Sequence, residues 1–352
     1  MRRPCGCYDT DYSRDMAIVR TGTQWGFLIA ALLFLALIPA FASGYILTVL
    51  IYIGIGVIVA LGLNLLVGYC GQISVGQSAF MGAGGFAAAH VALTLFNGAS
   101  WAFWVALPLS GITAGLVGLI FGFPSLRVKG FYLALTTLAA QFIIQYVLIH
   151  FAGGETGLHV KSPAIGSFII NTDQKYYYLV MVFALLAIVL SKNITRGRIG
   201  RTFLAIRDNE ISAEALGINI FRYKLLAFFI GCFFAGIGGC LWVFYLGLAS
   251  VEHYTLQDSI WYLGMIIVGG MGSTLGTVLG VFFIQGVREL SYLLAQQVSQ
   301  IAPALSSNII GSLPIMVFSI VVALFLIFEP RGLAHRWELF KASYRIWPFG
   351  HL

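Results

Sequence analysis

Apolar residues run in long blocks along this chain, separated by short polar punctuation. The blocks predict ten helices, at residues 25–42, 46–67, 73–96, 101–123, 130–150, 175–191, 225–247, 258–271, 274–293 and 308–328. A bilayer crossing takes roughly 20 apolar residues, and most of these blocks reach or approach that length. The eighth is short, and whether it crosses fully is open. The alternation expected of a transmembrane β-barrel is absent. The fold class expected is therefore an all-α polytopic membrane protein of about 10 transmembrane helices with broken or re-entrant segments.

Charge sharpens this picture. Only 9% of the residues are charged, against about 25% in an average soluble chain. No Asp, Glu, Lys or Arg occurs from Thr21 to Leu126. Ten crossings would place both termini on one face. Of the 20 basic residues, all but Lys161, Lys175 and Arg288 then fall on that face. Basic residues concentrate in cytoplasmic segments, so both termini are expected in the cytoplasm. The net charge of +7 needs no nucleic-acid partner. The resulting division is a cytoplasmic tail at 1–24, a membrane domain at 25–328 and a cytoplasmic tail at 329–352. The domain carries a cytoplasmic loop at 192–224 and an external loop at 152–174.

Other signals change little. Ala40-Phe41-Ala42 resembles a signal-peptidase site, but the preceding stretch is long and holds three aspartates, Asp9, Asp11 and Asp15. A retained first span is the expectation. Cys5 and Cys7 supply two of the four ligands that a metal site usually needs. Cys70, Cys232 and Cys240 lie in apolar sequence, and no disulfide framework, metal or cofactor is expected.

The stretch GYCGQISVGQSAFMGAGGF, Gly68 to Phe86, is unusual for a span. Helical spacing would put Ser74, Gln77, Ser78 and Met81 on one face. Ser74, Ser78 and Gly82 would form a small-residue stripe that admits a neighbouring helix. Irregular backbone at membrane depth is tolerated only inside protein or along a watery cavity, and transporters place broken helices at the substrate path. Gln72 and Gln77 either line such a path or are satisfied internally. A second glycine cluster, VGGMGSTLGTVLG at Val268–Gly280, suggests an internal repeat around the same path.

In the loop Lys192–Lys224, NEISAEALG reads as a short capped helix. Asn209 fits the N-cap, Glu210 the first turn and Gly217 the position that ends the helix. Such a helix offers a rigid knob; the plainer reading is a topological anchor. The external loop, with Glu155, His159, Lys161 and Asp173, serves an external partner or merely connects two spans.

Several chemistries are missing. The chain has no G-x-x-x-x-G-K-[ST] phosphate loop and no H-E-x-x-H. No carboxylate lies at the middle of a predicted span, where proton- or sodium-coupled carriers place one. Arg288 and Glu289 lie about 24 Å along their helix and are expected to snorkel to the outer interface. His90 and His150 are expected at outer span ends. A self-contained carrier or a membrane enzyme is thereby disfavoured.

The stretches LGLNLLVGYCGQISVGQSAFMGAGGF, LRVKGFYLALTTLA, GGETGL, IGRTFLAIRDNEISAEALGINIFRYKLLAF, GGMGSTLGTVLG and FEPRGL occur in this order over about residues 45–333. Together they resemble the membrane-spanning permease subunits of branched-chain amino-acid ABC importers, of the LivM type. The resemblance implies a multi-pass subunit of the bacterial inner membrane that is not itself an enzyme. Its implied partners are a homologous LivH-type permease, two ABC ATPase subunits and a periplasmic substrate-binding protein. It further implies an ATPase-coupling role for Arg207, Asn209, Glu210, Glu214, Ala215 and Gly217. Glu214-Ala215-Leu216-Gly217 is similar to the EAA loop of such permeases, although the glycine spacing departs from it. Asn64, Gln72, Ser74, Gln77 and Ser78 become candidate polar contacts along a path for an amino acid. A urea or short-amide permease is the nearest alternative within the family.

Overall fold

Helices that are apolar on every side, and glycines that let them touch, set the architecture. A computed structural model describes residues 22–125, 131–153, 157–165, 168–301 and 306–346. The first helices are α1 (Gly22–Phe41), α2 (Gly44–Leu63, continued by a π-helical turn Asn64–Tyr69), α3 (Gln77–His90, continued by Val91–Leu95), α4 (Phe103–Ser125) and α5 (Phe131–Phe151). Next come α6 (Asp173–Arg196), α7 (Arg198–Asp208), α8 (Glu210–Ala215) and α9 (Ile220–Leu246). The last are α10 (Leu256–Gly269), α11 (Thr274–Ile301), α12 (Ser306–Phe328) and α13 (Gly332–Ile346). Short strands β1 (Leu158–His159) and β4 (Leu248–Ala249) pair antiparallel, as do β2 (Ala164–Ile165) and β3 (Phe168–Ile169). Part of the GGETGL stretch lies outside the described residues, as do both ends of the chain.

Among the described residues, 8 helices are long and apolar enough to cross a membrane. Two of the expected spans are shorter: the apolar stretch Leu28–Phe41 in α1, and α10 with 14 residues. The start of α10 is set by a capping box at Thr255, whose hydroxyl accepts from the Asp258 N–H while the Asp258 carboxylate accepts from the Thr255 N–H. This satisfies two groups that a helix start leaves without partners and places the boundary before residue 258.

α2 is buried around its whole circumference from Ile53 to Tyr69, as expected of a helix with no polar face. It packs on α6, α9 and α11, while α9 also packs on α3 and α4. Glycines decide how closely these helices approach. A methyl on Gly62 would lie 2.6 Å from the Gly231 carbonyl oxygen. A methyl on Gly239 would strike the Met81 carbonyl, and one on Gly236 the Ser110 carbonyl. Van der Waals packing is the main attraction between helices in lipid, and small residues maximise it.

Two connections are interrupted. α2 descends to Tyr69, the chain doubles back through residues 70–76, and α3 begins only at Gln77. The Gln77 Nε2 donates to the Val59 and Gly231 carbonyls, and Gly231 is near the midpoint of α9, so α3 starts inside the bundle. α9 ends at Gly247, with φ +70°. The chain then re-enters through β4 and Val251–His253 to Tyr254, which is fully buried. α10 begins there. From this meeting point α3 runs toward the 152–174 loop, where His90 meets the Ala152 carbonyl. α10 runs the opposite way, to Gly270, which lies against the Arg331 carbonyl and Ala334.

The glycine-rich segments Gly68–Phe86 and Val268–Gly280 differ in local structure. Val268–Gly280 contains a tight turn between α10 and α11, with Gly270 at φ +108° and Gly272 at φ +79°. A second re-entrant segment, Gly247–Thr255, leads to the helix start that meets that of α3. Glycine-rich composition suits a tight turn and an open break equally, so composition does not separate them.

Candidate functional site

The first turns of α3 and α10 meet in the middle of the bundle. The Ser78 N–H donates to the Ser259 hydroxyl at 2.9 Å. The Gln141 Oε1 on α5 accepts from the Ala79 N–H and from the Ser259 hydroxyl, both at 3.0 Å. The Nε2 groups of Gln141 and Gln145 donate to the Tyr254 carbonyl at 2.9 and 2.8 Å. Each helix start carries about half a positive charge. Side chains from a third helix therefore hold two positive helix ends together.

Here and in the lead-in to α3, several buried polar atoms have no hydrogen-bond partner among the described residues. They are both amide atoms of Gln72, the hydroxyls of Ser74, Ser78 and Tyr254, and the Gln77 Oε1. Each such atom costs about 1–3 kcal/mol to bury, and native chains hold few of them. The predicted face Ser74, Gln77, Ser78 and Met81 is not one helical face. Ser74 lies in the non-helical lead-in, because the Val75 N–H donates to the Thr137 hydroxyl at 3.0 Å and Gly76 packs on the Thr137 carbonyl. These tertiary contacts delay the helix to Gln77.

Asn64 sits apart from the other four candidates. Its Oδ1 accepts from the Gly272 N–H at 2.9 Å, and its Nδ2 donates to the Ser273 carbonyl at 3.4 Å. It therefore ties the end of α2 to the α10–α11 turn.

At that same end lie α7 and α8. The Asn209 side chain accepts from the Ser212 N–H at 3.0 Å, which forms the expected N-cap. Glu210 pairs with Lys224. Gly217 ends the segment at φ +82° and has open space around its Cα. The separate helix α7 was not anticipated, although its amphipathic pattern buries Phe203 and Ile206. Ile211 and Leu216 are 78% and 80% exposed, which makes the knob apolar at its surface. The Arg207 Nη1 donates to the Gly68 carbonyl at 2.9 Å. A methyl on Gly71, at φ +74°, would lie 2.9 Å from the Arg207 Cγ. Arg207 thus connects the loop to the first break and, beside Gly272, to the α10–α11 turn. Burial pushes the neighbouring Cys70 thiol up to about 12, with Lys224 opposing and Glu210 adding to the shift.

At the opposite end of the bundle, Arg288 and Glu289 border a cavity. Arg288 lies over the faces of Trp261 and Tyr292, 5.4 and 5.8 Å from the ring centres. His150 stacks on Tyr146. Among the described residues no cluster of His, Cys, Asp or Glu is arranged to hold a metal ion.

The family described as branched-chain amino acid transport system / permease component matches residues 45–328. The high-affinity branched-chain amino acid transport system permease protein LivM of Escherichia coli K12 is 29% identical over 75% of this chain and 68% of its own length. The LivM protein of Salmonella typhimurium LT2 is 32% identical over 66% of this chain and 60% of its own length. The autoinducer 2 import system permease protein LsrC of Enterobacter sp. strain 638 is 27% identical over 60% of this chain and 61% of its own length. No solved structure matches the chain. A subunit of this kind is a multi-pass inner-membrane permease and not an enzyme. The chain belongs to the branched-chain amino acid transport system permease family.

Proposed function

We propose that this chain forms the translocation pathway for branched-chain amino acids in an ATP-driven importer. The observation that carries the reading is the junction of α3 and α10. Gln72 and Ser74 in the lead-in to α3, and Gln77 and Ser78 in its first turn, carry buried polar atoms without partners among the described residues in an otherwise apolar bundle. A zwitterion passing there meets groups that solvate it without holding it. Weak contact suits a subunit that must release what it receives, with selectivity residing in a periplasmic binding protein.

The capped segment Asn209–Gly217 supports a coupling role. Exposed Ile211 and Leu216 offer an apolar knob to an ATPase subunit. Arg207 links its movement to Gly68 and the first break. In this reading two ATPases act on the cytoplasmic face, a LivH-type permease completes the path, and both termini are cytoplasmic. α13 packs near the Arg207 end of the bundle through Gly270 and Gly276, and its basic residues add to those of α7, which supports that orientation.

The test is ATP-dependent uptake of labelled leucine into proteoliposomes holding this chain, the second permease, the ATPases and the binding protein, each omitted in turn. Loss of uptake on omitting any of them supports the proposal. Uptake of urea in place of leucine would move the chain to the short-amide branch. Leucine uptake by this chain alone would overturn the coupling role.

A further inference from the structure

A cavity of about 440 Å³ opens at the end of the bundle opposite α7 and α8. Its walls come from α2, α3, α9, α10 and α11 together with the re-entrant segment Val251–His253. The volume falls in the range of small-molecule pockets, roughly 300–1,000 Å³.

The lining combines three kinds of surface. Aromatic side chains, Trp242, Trp261 and Tyr262 among them, form much of the wall. Carboxylates reach it from Glu252, Asp258 and Glu289. One guanidinium, that of Arg288, faces them. Asp258 is committed to the cap of α10. Glu289 accepts from the Tyr45 hydroxyl at 2.7 Å and from the Gln285 amide at 3.4 Å, which holds it in place. Arg288 takes part in none of the ion pairs found among the described residues, and its contacts are the two aromatic faces. Arg288 and Glu289 are adjacent on α11, so opposite charges stand side by side against an aromatic wall.

We propose that this cavity is the outer receiving site for the transported solute and that it takes a zwitterion with an apolar side chain. The proposal rests on the importer reading above and names the place where that solute first enters this chain. The Arg288 guanidinium takes the carboxylate, Glu289 takes the ammonium, and the rings hold the side chain. A planar guanidinium suits a carboxylate through paired hydrogen bonds, and aromatic faces attract an ammonium as well as apolar groups. A neutral solute such as urea or a polyol offers no counter-charge to Arg288 or Glu289, and sites built for such a partner reject analogues that lack it. The floor leads onward. Met81 lines the cavity and accepts from the Tyr262 hydroxyl at 3.5 Å. Ser78 lies three residues earlier on the same helix, so the solute next meets the polar atoms of the α3–α10 junction.

The experiment uses the complete reconstituted importer and compares initial leucine uptake for the unaltered chain, Arg288→Gln, Arg288→Lys and Glu289→Gln. Arg288→Gln and Glu289→Gln should each lower uptake at least tenfold while ATP hydrolysis by the assembled complex persists, and Arg288→Lys should retain uptake within about threefold. Uptake by Arg288→Gln and Glu289→Gln at the unaltered rate would overturn the site. If a variant fails to assemble, the unaltered complex without binding protein decides. Millimolar leucine should change its tryptophan fluorescence through Trp242 and Trp261, and equal urea or glycerol should not. The same response to all three, or to none, would overturn the site. An unaltered importer that takes up no amino acid would instead refute the functional reading, so the two failures are distinct.

Discussion

Replacing Arg207 with methionine tests the mechanical link between the cytoplasmic segment and the broken helix. Methionine keeps a long apolar stem against Gly71 and removes the hydrogen bond from Nη1 to the Gly68 carbonyl. A hydrogen bond from a charged donor contributes about 1.5–3 kcal/mol. The Arg207 side chain is 38% exposed, so water replaces part of that, leaving about 1–2 kcal/mol by the same scale. The surface pair with Asp208 joins neighbouring residues and contributes about 0–1 kcal/mol, without bearing on the link. At 1.4 kcal/mol per factor of ten, loss of the bond should change the balance between two conformations by about 5–30-fold. The assay is the ratio of ATP hydrolysed to leucine imported in proteoliposomes. The ratio should rise by about that factor while assembly with the ATPases is unchanged. A ratio within twofold of the unaltered importer would refute the link, and with it the idea that Gly68 follows Arg207.

Four further outcomes are expected. Gly217→Leu meets open space but forces a left-handed backbone at φ +82°, a strain of about 1–2 kcal/mol; purified complexes should assemble, yet leucine uptake should fall severalfold relative to ATP hydrolysis, and unchanged uptake would count against the coupling segment. Gln77→Leu removes a buried acceptor that has no partner among the described residues, and with it the two hydrogen bonds from Nε2 to the Val59 and Gly231 carbonyls, so stability should fall by about 1–3 kcal/mol while transport falls at least tenfold at unchanged binding-protein affinity; loss of folding would instead make Gln77 a packing residue. Gly239→Ala drives a methyl into the Met81 carbonyl, and the melting temperature of the detergent-purified chain should drop by several degrees; an unchanged value would show that α3 and α9 separate easily. Cys70, held near 12 by burial, stays a neutral thiol at pH 8, and in a chain lacking the other four cysteines maleimide labelling should be slow and should accelerate on nucleotide binding; equal rates in both states would mean that the Arg207 end of the bundle does not open.

Much of the fold was legible in the chain. Long apolar blocks without charge dictate membrane helices, because an exposed backbone group in hydrocarbon costs several kcal/mol and only helices satisfy every such group within one segment. Basic residues mark one end of the bundle. The knob at Asn209–Gly217 was legible because capping is a local matter: Asn209 caps a residue three positions away, and Gly217 is needed for its own backbone angle. The spacing Thr255–Asp258 also carries a local cap signal, although the predicted helix began at 258, two residues after Leu256.

What only the tertiary structure decided is where polar groups find partners across the bundle. Sequence spacing placed Ser74 on a helical face, but Thr137 on α5 takes the Val75 N–H and ends that possibility. Glycine clusters at Gly68–Phe86 and Val268–Gly280 look alike in one dimension; one surrounds an open break and the other a tight turn. The second re-entrant segment, Gly247–Thr255, is poorer in glycine and is recognised only because Tyr254 is held by Gln141 and Gln145 from 113 and 109 residues away. That Arg288 and Glu289 border one cavity, with Arg288 over Trp261 of α10, is likewise a matter of packing between helices. Local periodicity and the dielectric cost of charge determine which segments cross the bilayer, whereas long-range packing determines which of their few polar atoms face one another.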